Sequence, residues 1–278
     1  MESSPLSSDG DSKMSDTVIN AVPHGPVLPA RALAPVSRPT TPAPVSVVIK
    51  SPPVKEVAVH HGKPSTAPVG FRKPRMLHLF SGPTTRQEGI SNILRKIGWE
   101  CLDVDVVNVA LGLPKEQQDL SSDHLWASLT SEVSNGAFDF VWMGTPCTTF
   151  SRARQGPPGP PPLRSLEHIY GFPKPSLSQA DWDDVQLGNY FAIQSARMAT
   201  LALSRGVGFG IENPAPWPGF PSIFLLPEFQ TLASTAGVSS VDFDQCPFGS
   251  ETAKPTRVLY AFVDFSTFQG KCNHPKQW

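Results

Sequence analysis

The chain is poor in the residues that staple small domains or hold structural metals. Its 278 residues include only four cysteines, Cys101, Cys147, Cys246 and Cys272, far apart and without a Cys-x-x-Cys pair. That spacing argues against a zinc module and against a disulfide framework, and leaves reduced intracellular thiols as the expectation. Cys246, Cys272 and His274 come nearest to a ligand set, but no fourth ligand stands at a usual spacing, so no metal is expected. No run of about 18 apolar residues is long enough for a bilayer, and no hydrophobic stretch near Met1 resembles a signal peptide. A soluble intracellular protein, nuclear or cytoplasmic, is therefore expected, with no membrane partner. An excess of charge is also missing, with 23 Lys and Arg against 24 Asp and Glu. Such a balance neither announces nor excludes nucleic acid, because a local basic groove can coexist with a neutral total. The densest basic cluster, FRKPR from Phe71 to Arg75, reads first as a solvated linker end.

Aromatic residues and cysteine are absent from Met1 to Gly70, while 13 of the 31 prolines fall between Met1 and Pro74. A segment with so little to bury cannot offset its ordering entropy, so residues 1–71 read as a disordered Pro-rich linker or tail. The remainder, 72–278, holds 15 of the 16 Phe and all six Trp, enough apolar surface for a core, and reads as the folded domain.

Within that domain apolar runs alternate with helical patterns. Met76 to Phe80 (MLHLF) predicts a strand, followed by a helix over Thr84 to Ile97 with Ile90, Ile93, Leu94 and Ile97 at helical spacing. Glu100 to Val107 predicts a second strand, Ser122 to Val133 a helix, and Phe138 to Met143 a third strand. A long Pro/Gly loop leads into a helix over Trp182 to Ser204. Gly206 to Glu212 predicts a fourth strand, Pro227 to Ala236 a short helix, and Val238 to Phe243 and Arg257 to Val263 two final strands. The alternation predicts an α/β domain, a mostly parallel sheet with helices on both faces.

In such sheets ligands bind beyond the carboxyl ends of the strands. The residues standing there are Ser81 and Gly82, Asp105, Gly144 to Cys147, and Glu212 with Asn213. Gly82 would let a ligand approach the backbone, although HLFSGPTT lacks the GxGxxG spacing of a dinucleotide site. Asp105, or alternatively Asp103, stands where nucleotide-type folds hold ribose hydroxyls, or else is a helix cap or a solvated strand end. No cation specific for additional phosphate is apparent, which favours a nucleoside-like cofactor over NAD or ATP. Cys147 would be nucleophilic if its pKa were lowered, and Pro146 stiffens the chain before it; the alternative is a buried thiol behaving as a small hydrophobe. Glu212, after an apolar strand, could hold or donate a proton.

Thr145 to Ser151 (TPCTTFS) resembles the Pro-Cys motif of the cytosine-5 DNA methyltransferases, and Glu212-Asn213-Pro214 resembles their Glu-Asn-Val motif on the next strand. Leu79 to Gly82 (LFSG) looks like the family's first motif, and Asp119-Leu120 like its acidic pair after the third strand. The likeness extends to the compact methylase-like proteins of phages and mobile elements, through Pro160 to Ser165 and Phe248-Gly249 to Lys254-Pro255-Thr256. The resemblance implies a Rossmann-like methyltransferase fold and S-adenosylmethionine as cofactor, lined by Phe80, Ser81 and Gly82, with Asp105 at its ribose and Asp119 and Leu120 at its adenine. It implies Cys147 as the thiolate that adds to cytosine C6 and Glu212 as the group at N3. Arg257, with Lys254, would stand in for the family's late arginine motif. Pro146, Ser151, Arg152, Arg154, Asn213 and Lys254 would face the DNA. The loop from Ser151 to Ala180, with Arg152, Arg154 and Arg164, corresponds to the family's mobile loop or is a solvated insertion. Departures are His78 in place of the first motif's leading acid, Pro83 after its glycine, and no target-recognition segment or final motif before Trp278. Two alternatives remain open: a catalytically impaired module that binds nucleic acid or S-adenosylmethionine, and an RNA cytosine methyltransferase.

Overall fold

The computed structural model describes residues 72–156, 158–268 and 270–273. The expected Pro-rich tail, Phe71, His274 and Trp278 lie outside the described residues. Six strands form one sheet: β1 (Arg75–Leu79), β2 (Glu100–Val104), β3 (Phe140–Met143), β4 (Gly208–Pro214), β5 (Val238–Asp244) and β6 (Pro255–Ala261). The order across the sheet is β2-β1-β3-β4-β6-β5. The first four strands are mutually parallel, whereas β6 runs antiparallel to both β4 and β5. The domain is thus α/β with a mostly parallel sheet, as its alternating pattern predicts, and Rossmann-like, as the resemblance implies.

Four helices join the strands: α1 (Ile90–Lys96), α2 (Asp123–Ser134), α3 (Gln179–Ser204) and α4 (Pro227–Ala233). Ser122 and Ser178 start α2 and α3 by accepting backbone N–H groups from Leu125 and Asp181, the bonds that an N-cap hydroxyl supplies to otherwise orphaned donors. The helix expected over Thr84 to Ile97 begins only at Ile90. Before it, turns occupy the chain, and Asn92 spends its amide on the carbonyls of Thr84 and Arg86.

One face of the sheet carries the core. Leu77, Leu79, Val104, Val141, Met143, Phe209, Ile211 and Leu259 pack beneath α2, α3 and α4. Helix α3 turns Ala192, Ala196, Ala199 and Ala202 toward them, small side chains that let a long helix lie close to the strands. The opposite face is built differently. The register places Asp103, His78, Trp142, Gly210 and Tyr260 in one row across five strands. A Cβ at Gly210 would fall 2.6 Å from the Trp142 indole, so the glycine leaves a slot in which that ring lies. Phe265, in the segment after β6, packs at a tilt against Trp142 and edge-on against Tyr260. That aromatic segment, and not a helix, covers the β3-β4-β6 side of this face; α1 covers the β1-β2 side.

Under α1 lies a buried polar network. Ser91 Oγ donates to Asp103 and meets His78 Nδ1 at 2.7 Å, while Arg95 reaches Asp103 Oδ2 at 2.7 Å. Burial opposes the charge on Asp103, but the bonds from His78, Ser91 and Arg95 outweigh it and hold the carboxyl below its ordinary pKa. A carboxyl depressed in the folded state stabilises the fold above its unfolded pKa, and that contribution is lost as pH falls through the folded value. Asp103→Asn should therefore cost about 1 to 3 kcal/mol near neutrality and much less in acid. Urea midpoints measured across that range check both the cost and its sign.

Candidate active site

Cys147 stands four residues past the end of β3, in the loop Gly144 to Cys147. The bends on either side are held by named contacts. Gly144 donates to Leu79 O at 3.1 Å, and a Cβ there would lie 3.0 Å from Phe80 O, so glycine permits the loops after β1 and β3 to touch. Thr145 is clasped twice: its hydroxyl meets Ser195 of α3 at 2.9 Å, and its carbonyl accepts Asn213 Nδ2 at 2.6 Å. Asn213 is 2% exposed and belongs to β4. The Asn of the Glu-Asn pair therefore acts as a brace, locking the end of β4 to the loop that carries the thiol.

Glu212 precedes that brace on β4 and is half-buried. Because β6 is antiparallel, its first residues come alongside the carboxyl end of β4, where Lys254 Nζ lies 3.3 Å from Glu212 Oε1. Gln245, before the β5–β6 turn, offers its amide to the same oxygen at 3.4 Å and to Thr256 Oγ1 at 3.0 Å. Burial raises the Cys147 thiol above its ordinary pKa, with Lys254 pulling it down and Glu212 pushing it up. Thiol, carboxylate and ammonium thus form one electrostatic group, and at neutral pH the thiol rests mostly protonated.

Lys254→Met should raise the Cys147 pKa further, and Glu212→Gln should lower it. The pH profile of Cys147 alkylation reads both shifts; movement in the same direction for the two variants would refute the grouping.

The loops after β1 and β2 form the second half of the site. Gly82 has φ +69° and nothing within 4 Å of where a Cβ would stand, so the backbone there faces open space. Its N–H donates to Asp105 Oδ2 at 2.9 Å, and Asp105 Oδ1 accepts Val107 N–H at 3.0 Å. Phe80 adopts φ +56°, donates its N–H to Val104 O, and packs its ring against Phe191 and Trp126. A left-handed phenylalanine is uncommon, and here the turn at the end of β1 imposes it. Ser81 bonds its hydroxyl to Gly82 O. Of the two candidate acids, Asp105 faces this turn, while Asp103 belongs to the network under α1.

The other candidates have partners of their own. Asp119 is engaged by Ser121 and Lys115, and hydrogen bonds from the Ser121 hydroxyl and amide hold its carboxyl below the ordinary range. Leu120 is a core residue, 3% exposed, whose carbonyl accepts the Trp126 indole N–H. Arg257 forks onto Asp242 of β5 at 2.6 and 2.8 Å. The cation beside Cys147 is therefore Lys254, which reaches Glu212 from just before β6, while the β5–β6 register sets Arg257 opposite Asp242.

Pro146 leads directly into the thiol and is half-buried. Ser151 caps the turn Arg152–Arg154 by accepting Ala153 N–H. Arg152 lies 4.1 Å over the Trp217 ring, and Arg154 bonds Pro161 O and pairs with Asp181.

The loop between β3 and α3 departs from a freely moving arm at one residue. Arg164 is 1% exposed, lies 3.7 Å over the Phe150 ring, and spends its guanidinium on Thr149 Oγ1, Asn189 Oδ1 and the carbonyls of Ile169 and Val185. Burial brings its pKa down to about 9, which still leaves it charged at neutral pH. Gly188 on α3 makes room for it, since a Cβ there would lie 2.6 Å from Thr149 Oγ1 and 3.2 Å from Arg164 Nη2.

Sequence reasoning did not reach Gln245, Ser195 or this role of Arg164. The first two have no local motif. A lone arginine in a proline-rich loop reads as solvated.

Among the described residues no group of three or more His, Cys, Asp or Glu could hold a metal ion, and no helix is long and apolar enough to cross a membrane. Neither a family model nor a curated protein matches the chain. Among solved structures it is similar to the methyltransferase EhMeth of Entamoeba histolytica, at 10% identity and a TM-score of 0.39, over 70% of this chain. The chain spans 55% of the length of that structure.

Proposed function

We propose that the domain methylates C5 of cytosine in DNA with S-adenosylmethionine as cofactor. The observation that carries this reading is the meeting of Cys147, Glu212 and Lys254 beyond the adjacent carboxyl ends of β3 and β4, braced by Asn213. Cytosine C5 is a poor nucleophile until a thiolate adds at C6. In that step the Cys147 sulfur forms a bond to C6, the C5–C6 π pair moves to C5, and Glu212 stabilises the ring by holding a proton at N3. The pair at C5 would then be spent on the bond to the methyl group; the C5 proton later leaves to solvent, its bonding pair re-forms the C5–C6 double bond, and the Cys147 thiolate departs.

A thiol that rests protonated must first lose its proton to solvent water, and Lys254 favours the resulting thiolate by its charge. Gln245 and Lys254 together hold Glu212 in place. S-adenosylmethionine, when bound, supplies an electrophilic methyl group. The open space at Gly82 fits close approach of such a nucleoside-type cofactor, with Phe80 and Ser81 along the same turn and Asp105 beside it. A duplex conceals the reacting edge of cytosine, so the target base would have to leave the stack, at a cost of a few kcal/mol. Arg152, on the loop that follows the thiol, and Trp217, in the segment after β4, together present a cation and an aromatic face, surfaces suited to a nucleic-acid strand.

The test is transfer of tritiated methyl from S-adenosylmethionine to matched DNA and RNA, with 5-fluorocytosine DNA as a covalent trap. Label in DNA and a trapped adduct at Cys147 are expected. Label confined to RNA would change the substrate, and transfer without an adduct would remove the thiol from the mechanism.

A further inference from the structure

Two of the four thiols meet in the fold although they are distant in sequence. Cys246, in the turn Cys246–Phe248, and Cys272, in the segment after β6, stand close enough for each thiol to feel the other. Independent contacts hold their backbones together. Asp244 donates its N–H to Gly270 O at 2.8 Å and accepts Cys272 N–H on Oδ2 at 2.7 Å. A Cβ at Gly270 would lie 3.0 Å from the Phe248 ring and 3.1 Å from Pro247, so glycine lets the late segment lie against the turn. The rings of Phe243, Phe248 and Phe268 pack at 5.1 to 5.6 Å around the same place. Both cysteines are half-exposed. Cys101, by contrast, donates to Ser91 O under α1, and Cys147 belongs to the group with Glu212.

We propose that Cys246 and Cys272 form a thiol–disulfide exchange site, with a low-molecular-weight disulfide such as oxidised glutathione as co-reactant, that staples the segment after β6 to the β5–β6 turn. One protein thiolate attacks a sulfur of the glutathione disulfide, forming a mixed disulfide and releasing one glutathione thiolate. The second protein thiolate then displaces the remaining glutathione and closes the internal bond. The two protein thiols are oxidised by two electrons, one glutathione disulfide is reduced to two thiols, and the two protons pass to the departing sulfurs. Because the turn and the late segment are already held together through Asp244, the closing step is intramolecular and the mixed disulfide does not accumulate.

The position gives the site a consequence. Cys246 follows Gln245, whose amide meets Glu212 and Thr256 and whose N–H donates to Ala253 O at 2.7 Å. The staple therefore ties down the turn that carries one of the two side chains on the candidate acid.

The test uses the full reduced chain with oxidised glutathione, acid quenching, alkylation of remaining thiols under denaturing conditions and peptide mapping by mass. A Cys246–Cys272 cross-link is expected, with the chain about 2 Da lighter and two glutathione thiols released. The same cross-link is expected in Cys147→Ser, and Cys272→Ser should instead keep a stable glutathione adduct at Cys246. Persistent adducts on the unsubstituted chain, cross-links to Cys101 or Cys147, absence of reaction, or zinc blocking both thiols would each overturn the proposal. The mapping needs neither nucleic acid nor methyl transfer, so its outcome is independent of the proposed function.

Discussion

Serine in place of Cys147 is expected to abolish the trapped adduct with 5-fluorocytosine DNA and to lower methyl transfer by at least about a thousandfold, because an alcohol at this position has no base to make it a nucleophile. The hydroxyl is nearly isosteric, and the loop around it is held by Thr145 and Asn213, not by the sulfur. The variant should therefore fold as well as the parent, and equal urea midpoints would establish that. Glu212→Gln should retain the thiol but reduce kcat by about 10²- to 10⁴-fold, the range expected for loss of a positioned acid. The two losses should not add in the double variant, since each group acts on the same adduct. Turnover that survives Cys147→Ser would mean that the reaction does not pass through this thiol.

The second large effect is on stability. Arg164→Ala should cost about 3 to 5 kcal/mol, because it empties a large buried volume and strips Thr149, Asn189 and two carbonyls of their donor. A urea midpoint shift with unchanged slope is the expected signature. Lysine at 164 should recover little, since an ammonium cannot reproduce a planar fork that reaches four acceptors. Gly188→Ala separates packing from charge. In an open helix that change gains about 1 kcal/mol from helix propensity. Here the added methyl would overlap Thr149 and crowd Arg164, so it should destabilise by about 1 to 3 kcal/mol. Stabilisation by Gly188→Ala would show that the arginine does not hold this loop against α3. Thr149 and Phe150 follow Cys147 closely, so either variant should also slow formation of the covalent adduct.

Much of this fold is legible in the pattern of residues. Short apolar runs ending in Ser-Gly, Asp, Pro-Cys and Glu-Asn mark β1 to β4, and the periodicity of α2 and α3 gives their positions to within a few residues. These signals are local: alternation, caps and turn residues act over one or two turns of chain. The α1 region misleads because Ile93 and Ile97, which complete its helical spacing, are 51% and 70% exposed; the short helix is anchored through Ser91, a polar residue that periodicity ignores. Helices on both faces hold in part, since aromatic side chains from the segment after β6 cover the side that glycines at 208 and 210 leave flat.

The sequence alone determined the α/β alternation and which strand ends carry Cys147, Glu212 and Asp105, because those facts depend on neighbours along the chain. Only the tertiary structure decided which cation faces the thiol. Lys254 and Arg257 are near-equivalent on paper, and the antiparallel insertion of β6 between β4 and β5 brings Lys254 to Glu212 while giving Arg257 to Asp242. The same holds for Asn213, Gln245 and Arg164, whose partners lie on other elements. Strand order and register are set by long-range pairing, which leaves no local trace in the residues that it brings together.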